Sequence, residues 1–166
     1  MKKILDTFQN PLTEREAEKY FFKPIKKMSI LEREKYLKNE RKYISFFKKI
    51  FKRNKKAILK LKIYSNDEIN NLFIREKKIF NKNFKKFYEF DFKKGNMIIS
   101  SFKDLILFVK LSYRDVYAFQ GKYRIYFPKD KIYISSLSDY YYLIVFSEIK
   151  NKKIEKIAQE KKLYIR

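Results

Sequence analysis

Positions 29–53 carry the most regular pattern in the chain, SILEREKYLKNERKYISFFKKIFKR. Ile30, Leu37, Ile44 and Phe51 recur every seven residues, and Tyr36, Tyr43 and Ile50 each stand one position before the last three. Together with Phe47 they mark one apolar stripe on a helix of period 3.6. Ser29 and Glu32 form an S-x-x-E capping box, which satisfies backbone N–H groups that have no partner inside the first turn. At about 1.5 Å per residue this helix spans roughly 37 Å, enough to serve as the spine of a small domain. Glu32, Glu34 and Glu40 come early in it, and Lys48, Lys49, Lys52 and Arg53 come late. That order suits the helix dipole, so the basic end has a structural explanation before any functional one.

What surrounds the spine is predicted from period and punctuation. Residues 1–12 read as a loosely held arm. Thr13 and Glu16 make a second capping box opening a short helix that stops before Pro24, pinned by Phe21 and Phe22. In 57–64, Leu59, Leu61 and Ile63 alternate with Lys60, Lys62 and Tyr64, the mark of a strand with one wet face. A third box, Ser65 and Glu68, opens a helix carrying Ile69, Leu72, Phe73, Phe80, Phe84 and Phe87. Phe90 and Phe92, a turn at Lys94-Gly95-Asn96 and residues 97–100 read as a hairpin. Residues 101–113 fit two states, a helix capped by Ser101 with Phe102, Leu105, Ile106 and Val109 inside, or a buried strand. Strands at 116–119, 123–127, 131–135 and 140–147, separated by turns, make a meander. Ile154, Ile157 and Ala158 mark a last helix, and 163–165 a short final strand. The predicted class is α+β: N-terminal helices including one long amphipathic helix, then a mainly antiparallel sheet and a C-terminal helix. One domain over 1–166 is expected, mainly helical over 13–88 and mainly β over 89–166, since no repeat or linker interrupts it.

Composition narrows the chemistry. The chain contains neither Cys nor His, so disulfides, thiolate or imidazole metal ligands and His-based triads are excluded. Its two glycines cannot build a P-loop or a dinucleotide fingerprint. The start, MKKILDTFQN, has no signal-peptide core and no apolar run reaches membrane-spanning length, so a soluble intracellular protein of the cytoplasm or an organellar matrix is expected, without a membrane partner. Forty-two basic residues against 19 acidic ones give a net charge of +23. Phe, Tyr, Ile, Asn and Lys are abundant while Gly, Ala, Arg and Pro are scarce, as in an AT-rich genome, and that bias accounts for part of the lysine excess. It does not account for so few carboxylates, whose codons are not GC-rich. A charge of this size attracts polyanions.

Three groups of residues are candidates for function. From position 41 to 66 there is no acidic residue, while Arg41, Lys42, Lys48, Lys49, Lys52, Arg53, Lys55, Lys56, Lys60 and Lys62 supply positive charge. The window joins two elements at Asn54, so both could offer charge to the same side, and phosphate-backbone binding needs only such a field. A solvated helix end is the plainer alternative. Second, Tyr113, Tyr117, Tyr123, Tyr126, Tyr133, Tyr140, Tyr141 and Tyr142 crowd the meander. Exposed Tyr on a sheet can stack unpaired bases, although Tyr is also a common core residue of strands.

The third is a carboxylate–lysine pattern. An apolar strand over 141–147 runs into Glu148-Ile149-Lys150 with Asp130 upstream in Pro128-Lys129-Asp130. Together with the helix–three strands–helix–strand order from Ser101, this resembles the PD-(D/E)xK nuclease superfamily. The resemblance implies that Asp130 and Glu148 hold Mg²⁺ and that Lys150 orients the attacking water or steadies the phosphate. It covers roughly the last 65 residues, and the P-K-D order departs from the adjacent P-D pair. A second register through Lys110 puts Phe108 at the acid position, which abolishes a site.

The leading expectation is therefore a non-enzymatic, lysine-rich protein that binds RNA or DNA through its phosphates, without a cofactor, as a ribosome-associated protein or an accessory of a nucleic-acid machine does. An inhibitor or immunity factor covering an acidic protein is the alternative. A Mg²⁺-dependent nuclease comes third.

Overall fold

The computed structural model describes residues 2–13, 15–16, 27–61, 96–114, 123–136, 142–146 and 152–166. Their elements, in chain order, are β1 (Lys2–Asp6), α1 (Ile30–Asn54), β2 (Ala57–Leu61), β3 (Asn96–Ile99), α2 (Phe102–Arg114), β4 (Tyr123–Phe127), β5 (Ile132–Ser136), β6 (Tyr142–Phe146), α3 (Lys152–Glu160) and β7 (Tyr164–Ile165). The protein is α+β, with its long helix early and a helix near its C-terminus. The seven described strands form one antiparallel sheet in the order β3-β2-β4-β5-β6-β1-β7. β4, β5 and β6 are the expected meander.

The spine helix forms where its pattern places it. Glu32 N–H donates to Ser29 Oγ at 3.3 Å and Ser29 N–H to Glu32 Oε2 at 2.7 Å, the two halves of the capping box. Tyr36, Tyr43, Phe46, Phe47, Ile50 and Phe51 are buried, with Leu37 and Ile44 packed at their edge. The stripe is shorter at its start than expected. Ile30 lies in the first turn and is 81% exposed, so the buried face begins at Tyr36. Phe47 meets Phe127 of β4 at 6.3 Å between ring centroids, which seats α1 on the sheet.

Residues 102–114 resolve to a helix. Ser101 caps it by accepting from Lys103 N–H at 3.1 Å, and Leu105, Phe108, Val109 and Tyr113 are buried. A strand here would send alternate residues of LILFVKL to solvent, whereas the helix turns its buried set against α1. Tyr113 stands 4.9 Å from Tyr36 and 5.5 Å from Tyr43, and Phe102 6.1 Å from Phe51. The Tyr36 hydroxyl donates to Tyr113 O at 3.1 Å, so its burial leaves no polar atom unmet.

One expectation is corrected. The segment 1–12 is not an arm over its first half, because Lys2–Asp6 is a strand held between β6 and β7. Leu5 is fully buried. Asp6 is buried as well, bonded to the Arg166 guanidinium, and Ile4 and Arg166 exchange backbone hydrogen bonds at 2.7 and 3.0 Å. A short polar stretch reads as an arm until its partner strands are known; KKILD has only two apolar residues, Ile4 and Leu5, and gains its order from long-range pairing. On α3, Ile154, Ile157 and Ala158 are buried as predicted. The helix ends in a Schellman motif with Lys162 at φ 55, Leu163 N–H donating to Ala158 O and Lys162 N–H to Gln159 O, both at 2.9 Å.

The Thr13–Glu16 box is formed, with Thr13 N–H donating to Glu16 Oε2 at 2.9 Å and Glu16 N–H to Thr13 Oγ1 at 3.4 Å. Pro24 with Phe21 and Phe22, the box at Ser65, the helix behind it, Phe90, Phe92 and the 116–119 strand lie outside the described residues. β3 pairs with β2, and Leu59 stands opposite Met97.

Candidate nucleic-acid interface

The basic window is organised by how α1 stops. Asn54 closes the helix from inside: its Nδ2 donates to Ile50 O at 2.9 Å and to Asp130 Oδ2 at 2.6 Å. Its Oδ1 accepts from Lys129 N–H at 2.8 Å and from Asp130 N–H at 3.2 Å. Arg53 reaches the same carboxylate, Nη2 to Oδ1 at 2.7 Å and Nε to Oδ2 at 3.4 Å. That bond holds the Arg53 guanidinium above its ordinary pKa, against the opposing effect of burial. Lys55 follows with φ 62, and its N–H donates to Phe51 O at 2.7 Å, so the chain turns out of the helix directly into β2. The β4–β5 turn over 128–131 is thus latched to the C-terminal end of α1. It closes on Lys131, at φ 50, whose N–H donates to Pro128 O at 3.3 Å.

The latch sorts the charges. Asp130 is the only acidic residue in 41–61 and 123–136 together, and it is buried against Arg53 and Asn54. Around it Lys52, Lys55, Lys56, Lys129 and Lys131 are exposed. Lys129 and Lys131 join this group only through the fold. In the sequence 128–130 is a turn and Asn54 a junction; the signal that links them is an Asn at a helix end, able to serve both a carbonyl and a distant turn.

Other cations of the window do other work. Lys49 is bonded to Glu160 of α3, which holds that carboxyl below its ordinary range. Lys48 stands over the Phe102 ring at 6.0 Å. Lys42 is half-buried, and burial, then the charges of Lys38 and Lys162, lower its pKa. Arg41 is exposed on α1, about two helical turns before Lys48 and three before Lys52.

Lys60 does not share a side with these residues. Ala57 and Leu59 of β2 are buried towards α1, so Lys60 points to the opposite face of the sheet. The window therefore divides between two faces of the molecule instead of forming one. Lys62 lies outside the described residues.

Of the nuclease pattern, Glu148 and Lys150 lie outside the described residues, and Asp130 is the carboxylate of the latch. Among the described residues no group of three acidic side chains stands ready for a metal ion, and no described helix is long and apolar enough to cross a membrane. Of the tyrosines, Tyr113 belongs to the core, while Tyr126 and Tyr133 stack on one another across β4 and β5. Tyr117, Tyr140 and Tyr141 lie outside the described residues; Tyr123 and Tyr142 begin β4 and β6.

No family model, curated protein or solved structure matches the chain.

Proposed function

We propose that the protein binds RNA or DNA without catalysing a reaction, gripping phosphates with the lysines gathered at the C-terminal end of α1. The observation that carries this reading is the fate of Asp130. Asp130, the one carboxylate within 41–61 and 123–136, is taken out of the field by burial and by its bonds to Arg53 and Asn54. Lys52, Lys55, Lys56 and Lys129 are left exposed around it. Exposed ammonium groups repel one another and are costly to gather without a polyanion to accept them, whereas phosphate oxygens reward their grouping. Lys acts here as a point charge, which fits sequence-independent contact with a backbone. The net charge of +23 steers such a partner from a distance.

The test is what the protein carries out of cells. Purified at low salt it should bring nucleic acid with it, seen as excess ultraviolet absorbance at the nucleic-acid band that high salt removes. A preparation free of nucleic acid that instead retains one acidic protein contradicts the reading and favours an inhibitor.

A further inference from the structure

The register of the sheet puts two rows of side chains side by side on the face turned away from α1, whose Phe47 packs on Phe127. Tyr126 pairs with Ile58 on one side and Tyr133 on the other, and Ile58 pairs with Ile98. In the next row Lys60 pairs with Asn96 and Arg124, and Arg124 with Ser135. The intervening residues Leu59, Ile125, Phe127, Ile132 and Ile134 are fully buried, so strand alternation sends both rows to the other face, where Ser135 at the end of the second row is itself buried. Tyr126 and Tyr133 lie ring on ring, centroids 4.4 Å apart and planes 25° from parallel. Both are half-buried, Lys60 and Arg124 are exposed, and Ile98 is 68% exposed.

We propose that this face binds unpaired bases of a single-stranded nucleic acid, which stack on the Tyr126–Tyr133 pair while Lys60 and Arg124 take the phosphates. The proposal rests on the nucleic-acid reading above and adds the class of strand and a second contact surface. The partner follows from the combination of charge and rings. A row of cations calls for anions, and a neighbouring row of rings calls for flat apolar surfaces; an unpaired nucleotide offers both. Rows on one face of a strand are about 6.6 Å apart, within the reach of one nucleotide from base to phosphate. A duplex keeps its bases stacked on one another and cannot use the rings. Stacking tolerates any base, so binding should be insensitive to sequence.

The experiment is a fluorescence-anisotropy titration with three labelled probes: oligo-U, oligo-dT and a duplex of the same length. Tyr126→Leu with Tyr133→Leu keeps apolar bulk and removes the rings. It should weaken both single strands roughly tenfold and leave the duplex unchanged, while Tyr126→Phe with Tyr133→Phe keeps wild-type affinity. Lys60→Glu with Arg124→Glu alters exposed side chains only, and should likewise weaken single strands more than duplex, so the proposal does not depend on the Leu variant folding. A preference between oligo-U and oligo-dT would assign the strand as RNA or DNA. The proposal is overturned if these variants bind single strands as the wild type does while Lys52→Glu with Lys55→Glu weakens every probe. That outcome leaves the α1 reading intact. A wild type that binds none of the three probes overturns both.

Discussion

At the scale of the residue, Asn54 holds the site together. Four hydrogen bonds converge on one buried amide, and they join the last turn of α1 to the β4–β5 turn. Removing the amide takes one bond from Asp130, which keeps Arg53, and strips two backbone N–H groups of their acceptor; unmet buried groups cost about 1–3 kcal/mol each. Asn54→Ala should therefore lower stability by about 2–4 kcal/mol, as read by urea denaturation followed by circular dichroism. A loss below about 0.5 kcal/mol, the ordinary effect of a surface change, would mean that the latch is ornamental. Among the described residues three lysines adopt left-handed backbone: Lys55, Lys131 and Lys162. Glycine is the usual residue at such positions, and this chain has only two. Two of the three, Lys55 and Lys131, flank the latch, so charge is set where the backbone would prefer a residue without a side chain.

At the scale of the element, α1 shows how a local signal survives into the fold. Ser29→Ala removes an acceptor for Glu32 N–H and should cost about 1 kcal/mol. A thermal melt checks it, and an unchanged midpoint would show that this end of the helix contributes nothing. The capping box, the heptad spacing and the Lys-rich last turn were all legible because each depends on residues within a few positions. The same holds for the turns of the meander and for Ile154, Ile157 and Ala158 on α3. The 102–114 segment was legible only as an ambiguity. A short apolar run serves a helix or a buried strand equally, and its partners Tyr36, Tyr43 and Phe51 lie more than 50 positions away in sequence. What local pattern could not supply was facing. Lys52 and Lys60 belong to one basic window, but strand parity and the packing of Leu59 put them on opposite sides.

At the scale of the whole molecule, the chain is tied together at its two ends. β1 lies between β6 and β7, with Leu5 in the core and Asp6 bonded to Arg166. Nothing in residues 2–6 announces this, because strand pairing across more than 130 positions leaves no local trace. A chain lacking residues 1–6 loses a buried leucine, worth about 2–5 kcal/mol, together with its strand pairing. It should melt well below the full-length protein or fail to fold; an equal melting temperature would refute the placement of β1. Charge is the other global property. A molecule of +23 repels itself and draws polyanions over a distance set by salt. On the function proposed above, the α1 end directs this charge to phosphates. The most direct test of that reading is the slope of log affinity against log salt for a duplex probe between about 0.05 and 0.3 M NaCl, in the wild type and in Lys52→Glu with Lys55→Glu and Lys129→Glu. A steep negative slope is expected in the wild type, and it should lose about one unit for each contact removed. A slope that is the same in both proteins would contradict that reading.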